Sequence, residues 1–148
     1  ITIYYEHETG TDQVDAGGVV TAILAEITSG DFDITQKRSA QGQFLGAPDL
    51  RGDGEYLMKI KRFLPDFISQ TGDTRITLFL RNYPNSSTAS SPLGPFTITS
   101  STDKVDTRAR ARAIAVQIEN TGTKDGSYEA QNWKLGTFRL DIQPDGRR

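Results

Sequence analysis

The chain has 148 residues and a formal net charge of −2, from 17 Lys plus Arg against 19 Asp plus Glu. The absence of cysteine excludes disulfides and thiolate metal sites, and a single histidine, His7, leaves little for a histidine zinc site or a catalytic triad. No apolar run approaches the roughly 20 residues that span a bilayer, and the near balance of charge gives no global drive toward nucleic acid or membrane.

The chain opens at Ile1, without an initiator methionine and without a basic stretch leading into an apolar one. The expectation is a single β-rich domain over 1–148, the C-terminal fragment of a larger protein. Ile1 to Tyr5 is a β-branched and aromatic run that ends in the turn-like "HETGTD". Gly17-Gly18 then opens "VVTAILAEIT", where Val19, Ile23, Ala25 and Ile27 share one two-residue register. That pattern predicts a buried strand, with a short helix as the alternative. After "SGDFDI", residues 35–55 are polar and rich in Gly, Pro and Asp, and read as a long loop.

Tyr56, Met58 and Ile60 face one way and Lys59 and Lys61 the other, which predicts a half-exposed strand that stops near Pro65. Ile76, Leu78 and Leu80 repeat the design against Thr77, Phe79 and Arg81. Gly72-Asp73 supplies a turn, and the two strands are expected to pair antiparallel. "NYPNSSTASSPLGP" reads as a loop, and Phe96 to Thr99 as a short strand.

"RARARAIAVQIE", Arg108 to Glu119, has a helix-forming composition but a strict period of two. A helix would place successive alternate residues about 200° apart around its axis. A strand sets Arg108, Arg110 and Arg112 in a row, about 6.6 Å from one to the next, followed on the same face by Ile114, Val116 and Ile118. A strand is therefore predicted, with the alanines on its other face allowing close approach of another sheet. "NTGTKDGSYEAQN" connects it to "WKLGTFRLDI", in which Trp133 and Leu135 hold one register and Phe138, Leu140 and Ile142 the other. A β-bulge at Gly136 would return all five to one side. This final strand is expected to pair with the arginine strand as a long-looped hairpin. With 14 Gly, 6 Pro and 1 Met, the whole points to an all-β fold. Antiparallel sheets in a sandwich or propeller-blade arrangement, joined by long polar loops, are expected.

The arginine row is the most informative chemistry. It is either a solvated strand face paired with acids on a neighbouring strand, or a patch at a subunit interface or channel wall that meets carboxylates or phosphates. The many carboxylates, among them Asp31, Asp33, Asp49, Asp53, Glu55, Asp141 and Asp145, are more simply solvated loop acids than a glycosidase pair. "DLRGDGE" lacks the ligand pattern of a calcium loop, and Arg51-Gly52-Asp53 is a tripeptide of the kind that arises by chance. Trp133 could stack a sugar or a base, yet in an alternating apolar strand a core position is the commoner role. No phosphate-cradling glycine loop or nucleophile elbow is present, and nothing asks for a cofactor.

"TRARARAIAVQIENTG" followed by "NWKLGTFRLDIQPDGRR" resembles the terminal segment of large structural proteins of tailed bacteriophages. "SGDFDI", "EYLMKIKRFLPDF" and "ITLFLRNYP" are similar in order and spacing to segments that precede that ending. The nearest group is the tail nozzle or tail hub of short-tailed phages, including tubular tail protein B and the related packaged-DNA stabilisation proteins. The resemblance covers roughly Ala22 to Arg148 and is most specific in the arginine strand and in the ending W-x-L-G-x-x-R-L-D-x-x-x-D-G-R-R, Trp133 to Arg148. That family carries glycine between two of its arginines, where this chain has Ala111, so a continuous strand is expected here.

The resemblance implies a non-enzymatic virion component. Copies of the chain would form a ring, usually a hexamer, in the tail below the portal and adaptor, beside tail fibre or other tail proteins. The ring would be assembled in the host bacterial cytoplasm and would form part of the conduit for double-stranded DNA, helping to retain the packaged genome. Arg108, Arg110, Arg112, Arg139 and Asp141 are then the interface or channel candidates, with the arginines more suited to knitting subunits than to gripping DNA. The competing expectations are a carbohydrate- or receptor-binding β-sandwich using Trp133, and a hydrolase using Asp31, Asp33 or Asp53.

Overall fold

The computed structural model of the chain describes Gly10 and residues 12–34, 56–83 and 91–146. Within them the fold is all-β, with no helix. The strands are β1 (Asp12–Val14), β2 (Val20–Ala22), β3 (Glu26–Thr28), β4 (Met58–Thr71), β5 (Thr74–Arg81) and β6 (Ser91–Ile98). They continue with β7 (Val105–Ala111), β8 (Ala113–Glu119), β9 (Thr123–Lys124), β10 (Ser127–Tyr128) and β11 (Asn132–Pro144). Two antiparallel sheets form the body: a three-stranded one in the order β11-β4-β7, and a four-stranded one in the order β3-β8-β5-β6. Two short hairpins, β1-β2 and β9-β10, are appended.

The two-residue alternation read from the sequence explains the layers. Met58, Ile60 and Phe63 of β4 and Ala109 and Ala111 of β7 are buried, and they pack in one cluster with Ile76 and Leu78 of β5, Ile98 of β6 and Ile114, Val116 and Ile118 of β8. Lys59 and Lys61 are exposed on the other side of β4. The result is a sandwich, each sheet presenting one apolar face to the other.

The arginine segment is extended, as its pattern predicts, but it is not one strand in one sheet. β7 ends at Ala111 and pairs with β4; β8 begins at Ala113 and pairs with β5 and β3. Arg112, whose N–H donates to the Arg81 carbonyl at 2.9 Å, is where the chain leaves one layer for the other. The unbroken sequence alternation survives this crossing for a geometric reason. The interior lies on opposite sides of the two layers, so side chains that keep one direction point outward from the first sheet and inward from the second. Arg108 and Arg110 are therefore exposed while Ile114, Val116 and Ile118 are core.

Five further expectations are corrected. β4 does not stop at Pro65 but runs to Thr71. Its pairing with β7 ends at Phe63↔Val105, so at Pro65 it has only β11 as a neighbour, and a missing N–H is tolerated on a strand with a free side. β4 and β5 do not pair with each other; the Gly72-Asp73 turn carries the chain from one sheet to the other. Gly72, at φ +69°, is suited to this, since a Cβ there would lie 2.6 Å from the Ala130 carbonyl oxygen. β11 pairs with β4 rather than with the arginine segment. Finally, "VVTAILAEIT" is neither buried nor helical: it forms β2 and β3 with Val19, Val20, Ile23, Leu24 and Ile27 exposed. Residues 91–95, read as loop, begin β6, and the connection after Glu119 contains the β9-β10 hairpin.

The bulge at Gly136 is present. The register steps from Leu135↔Phe67 to Phe138↔Pro65, and Trp133, Leu135, Phe138, Leu140 and Ile142 all pack against the core cluster. Ile1–Tyr5, His7, the 35–55 loop with Asp49, Asp53 and Glu55, and the Arg51-Gly52-Asp53 tripeptide lie outside the described residues.

Candidate interaction faces

The outer surface of the three-stranded sheet gathers most of the predicted residues. Arg108 and Arg110 stand on β7, Lys59, Lys61 and Arg62 on β4, and Arg139 and Asp141 on β11. Register sets their neighbours: Arg110 is opposite Lys59, and Asp106 and Asp141 flank Arg62 on either side. Arg62 Nε lies 3.3 Å from Asp141 Oδ2, and Arg110 pairs with Asp145 just beyond β11. Arg139 reaches Asp66 at 3.9 Å, and Lys104 reaches Asp106 at 3.5 Å. These side chains are each two-fifths or more exposed, so each pair contributes little to stability. Among the described residues, the side chains of Lys59, Lys61 and Arg108 have no ion-pair or hydrogen-bond partner. They line a shallow hollow with Asp106 and Thr107. Arg112, the third member of the predicted row, is half-buried at the crossover, so the row is split.

Trp133 sits at the far end of β11, half-buried and edge-on to Phe67 with ring centres 6.2 Å apart. Its indole Nε1 is buried and has no hydrogen-bond partner among the described residues. Asp31 pairs with Arg81 at 3.2 Å, and Asp33 is half-buried and engaged. The two stand two residues apart beside the isolated Phe32↔Ile114 bridge, and Asp53 lies outside the described residues.

A polar network that sequence reasoning missed fastens the β4–β5 turn to the β9-β10 hairpin. Gln131, 3 % exposed, accepts the Thr121 and Gly122 amides at 2.9 and 2.7 Å and donates to Glu129 Oε2 at 2.6 Å. Glu129 also accepts the Asp73 amide at 3.2 Å, and Lys124 lies 3.1 Å from the Asp73 carboxylate. The Gln131 hydrogen bond, then the Asp73 amide, hold the Glu129 carboxyl below its ordinary value against the opposing effect of burial. Lys124 is raised, first by its hydrogen bond to Asp73. Nothing in "TGTKDGSYEAQN" announces this, because the Asp73 that it meets stands 56 residues before Glu129, on another turn.

The sign of the Glu129 effect fixes a pH dependence. A carboxyl depressed in the folded state stabilises above its unfolded value and loses that contribution as pH falls through the folded one. Below pH 4.5, the ordinary value for this group, the parent is therefore expected to lose melting temperature more steeply than Glu129→Gln. Parallel pH profiles for the two proteins would exclude the linkage.

No family model matches the chain, and no curated protein matches its sequence.

Proposed function

We propose that the chain is a structural subunit of a bacteriophage tail, of the nozzle or hub kind, which joins copies of itself into a ring around the path of double-stranded DNA. The observation that carries this reading is the placement of the two most family-like segments. The first half of the arginine segment, β7, and the W-x-L-G ending, β11, come to lie on the same three-stranded sheet, on either side of β4. Together they make a broad, open face of charged side chains on a rigid sandwich, a surface suited to meeting another macromolecule rather than enclosing a small one.

The physics of a conduit agrees with the chemistry available. DNA must slide, so the wall should neither read bases nor hold phosphates tightly, and a chain with mixed charges and a net of −2 meets that condition. The arginines that are paired find carboxylates, as Arg110 does with Asp145 and Arg139 with Asp66. In the assembled virion, the portal or adaptor above and tail fibre or other tail proteins alongside are the expected neighbours. Imaging and native mass measurement of the purified assembly test this directly. A closed ring is expected; a monomer at every concentration would overturn the reading.

A further inference from the structure

Charge and apolar surface are segregated along this chain. Residues 12–34 hold five acids, Asp12, Asp15, Glu26, Asp31 and Asp33, and no lysine or arginine; with Asp31 paired to Arg81 and Asp33 engaged, Asp12, Asp15 and Glu26 are the acids beside the exposed apolar side chains. The same stretch exposes Val14, Val20, Ile23, Leu24 and Ile27, with Leu24 68 % open, next to Tyr128 at 46 %. Contiguous apolar exposure of this kind marks a contact surface. The arm is held in place: Asp15 Oδ1 accepts the Gly17 and Val19 amides, Asn120 accepts the Ala25 amide at 2.6 Å, and β3 pairs with β8.

The complementary surface lies on the other sheet. Lys59 and Arg110 are set directly opposite each other across β4 and β7, with Lys61 and Arg108 alongside. Like charges opposite one another on a sheet are destabilising, and only Arg110 of the four is neutralised among the described residues. The same outer face exposes Ile68, at 65 %. Because β3 belongs to the four-stranded sheet and this face is the outside of the three-stranded one, a molecule cannot bring its own arm to its own cations.

We infer that the acid-flanked apolar arm of one copy docks on the Lys59–Lys61–Arg108 face of the next, head to tail. The inference rests on the ring reading and supplies its contact. Two different surfaces meet, so the contact is heterologous and propagates until the rotation closes. The aliphatic stems of the lysines and arginine lie over Leu24 and Ile27 while their charged heads reach the acids, so burial supplies affinity and charge sets the register. A nucleic-acid partner is less well matched, since among the described residues no exposed aromatic stands beside these cations to stack a base, and Asp106 and Asp145 interrupt them.

The test is a charge swap followed by mass photometry and sedimentation of the full chain. K59E/K61E/R108E makes the docking face acidic, and I23K/L24K/I27K sets three lysines on the apolar contact surface of the arm, which brings residues 12–34 from −5 to −2. Each alone is expected to weaken assembly about a hundredfold, because like-charge juxtaposition costs several kcal/mol. Mixed together, they are expected to assemble again, since each new surface now fits its opposite; this restoration also shows that both variants fold. Should either triple variant unfold, K61E and L24K give the same mixing test at smaller effect. Assembly unchanged in either variant, or no restoration on mixing, overturns the inference while leaving a ring built on other contacts. Loss of duplex-DNA binding by K59E/K61E/R108E with assembly intact overturns it in favour of phosphate contact. A monomeric parent overturns both this contact and the ring.

Discussion

Phe63→Ala is expected to cost about 3–5 kcal/mol of folding stability, among the largest losses available from one substitution in this chain. Phe63 is fully buried and stands where the two layers meet. Its ring stacks on Phe138 of the same sheet at 5.5 Å between centres, and meets the edge of Phe96 from the opposite sheet at 5.4 Å. Truncation therefore removes two aromatic contacts as well as the buried area, and it leaves a cavity that strands on both sides are poorly placed to refill. Urea unfolding is the measurement: the midpoint should fall with the slope unchanged. A loss below about 1 kcal/mol would mean that the layers close over the gap, and that the interior is less rigid than its packing indicates.

Gly136→Val is expected to be the second large loss, with a signature of its own. A Cβ at Gly136 would lie 2.6 Å from the Asp66 carbonyl oxygen and 3.2 Å from Ile68 Cγ1, so the two backbones must separate. Overpacking of this kind costs about 1–3 kcal/mol. More specifically, the bulge is what turns Trp133 and Leu135 to the same side as Phe138, Leu140 and Ile142. If it relaxes into regular pairing, one of these two sets must turn to solvent. Trp133 is the only tryptophan, so its emission reports the outcome without ambiguity. A red shift accompanying the loss of stability is expected; parent-like stability and emission would show that the bulge tolerates a branched side chain.

How far the sequence reveals this fold depends on the range over which each feature is decided. Alternation is local, and it correctly predicts which sides of β4, β5, β7 and β8 face the core. The change of register across Gly136 is equally local, and the bulge follows from it. Partner choice is not local. The Gly72-Asp73 turn reads the same whether it joins two strands of one sheet or passes between layers, and only packing of Phe63 and Ile76 into a common interior selects the second. The arginine segment shows this most clearly: its unbroken period of two is consistent with one strand and also with two strands in opposite sheets. Pro65 misleads because a proline stops a strand only where its N–H is needed.

The candidate faces divide in the same way. That Arg108 and Arg110 point outward was legible from alternation; that Arg112 occupies a corner and that Arg110 meets Asp145 was not, because the acid lies 35 residues away and reaches it through β11 and β4. The apolar character of residues 19–27 was visible, but hydrophobicity does not say which partner covers a strand, and burial within the chain is only the commoner outcome.

The crossover at Arg112 has a mechanical consequence. Since adjoining residues of one backbone are hydrogen-bonded into both layers, neither layer can be peeled away without tugging on the interior of the other. Amide exchange in β7 and β8 is therefore expected to rise together under mild destabilisation, as one cooperative unit rather than two. Load applied to one face would be handed through that corner to the opposite face, so the molecule yields as a single block.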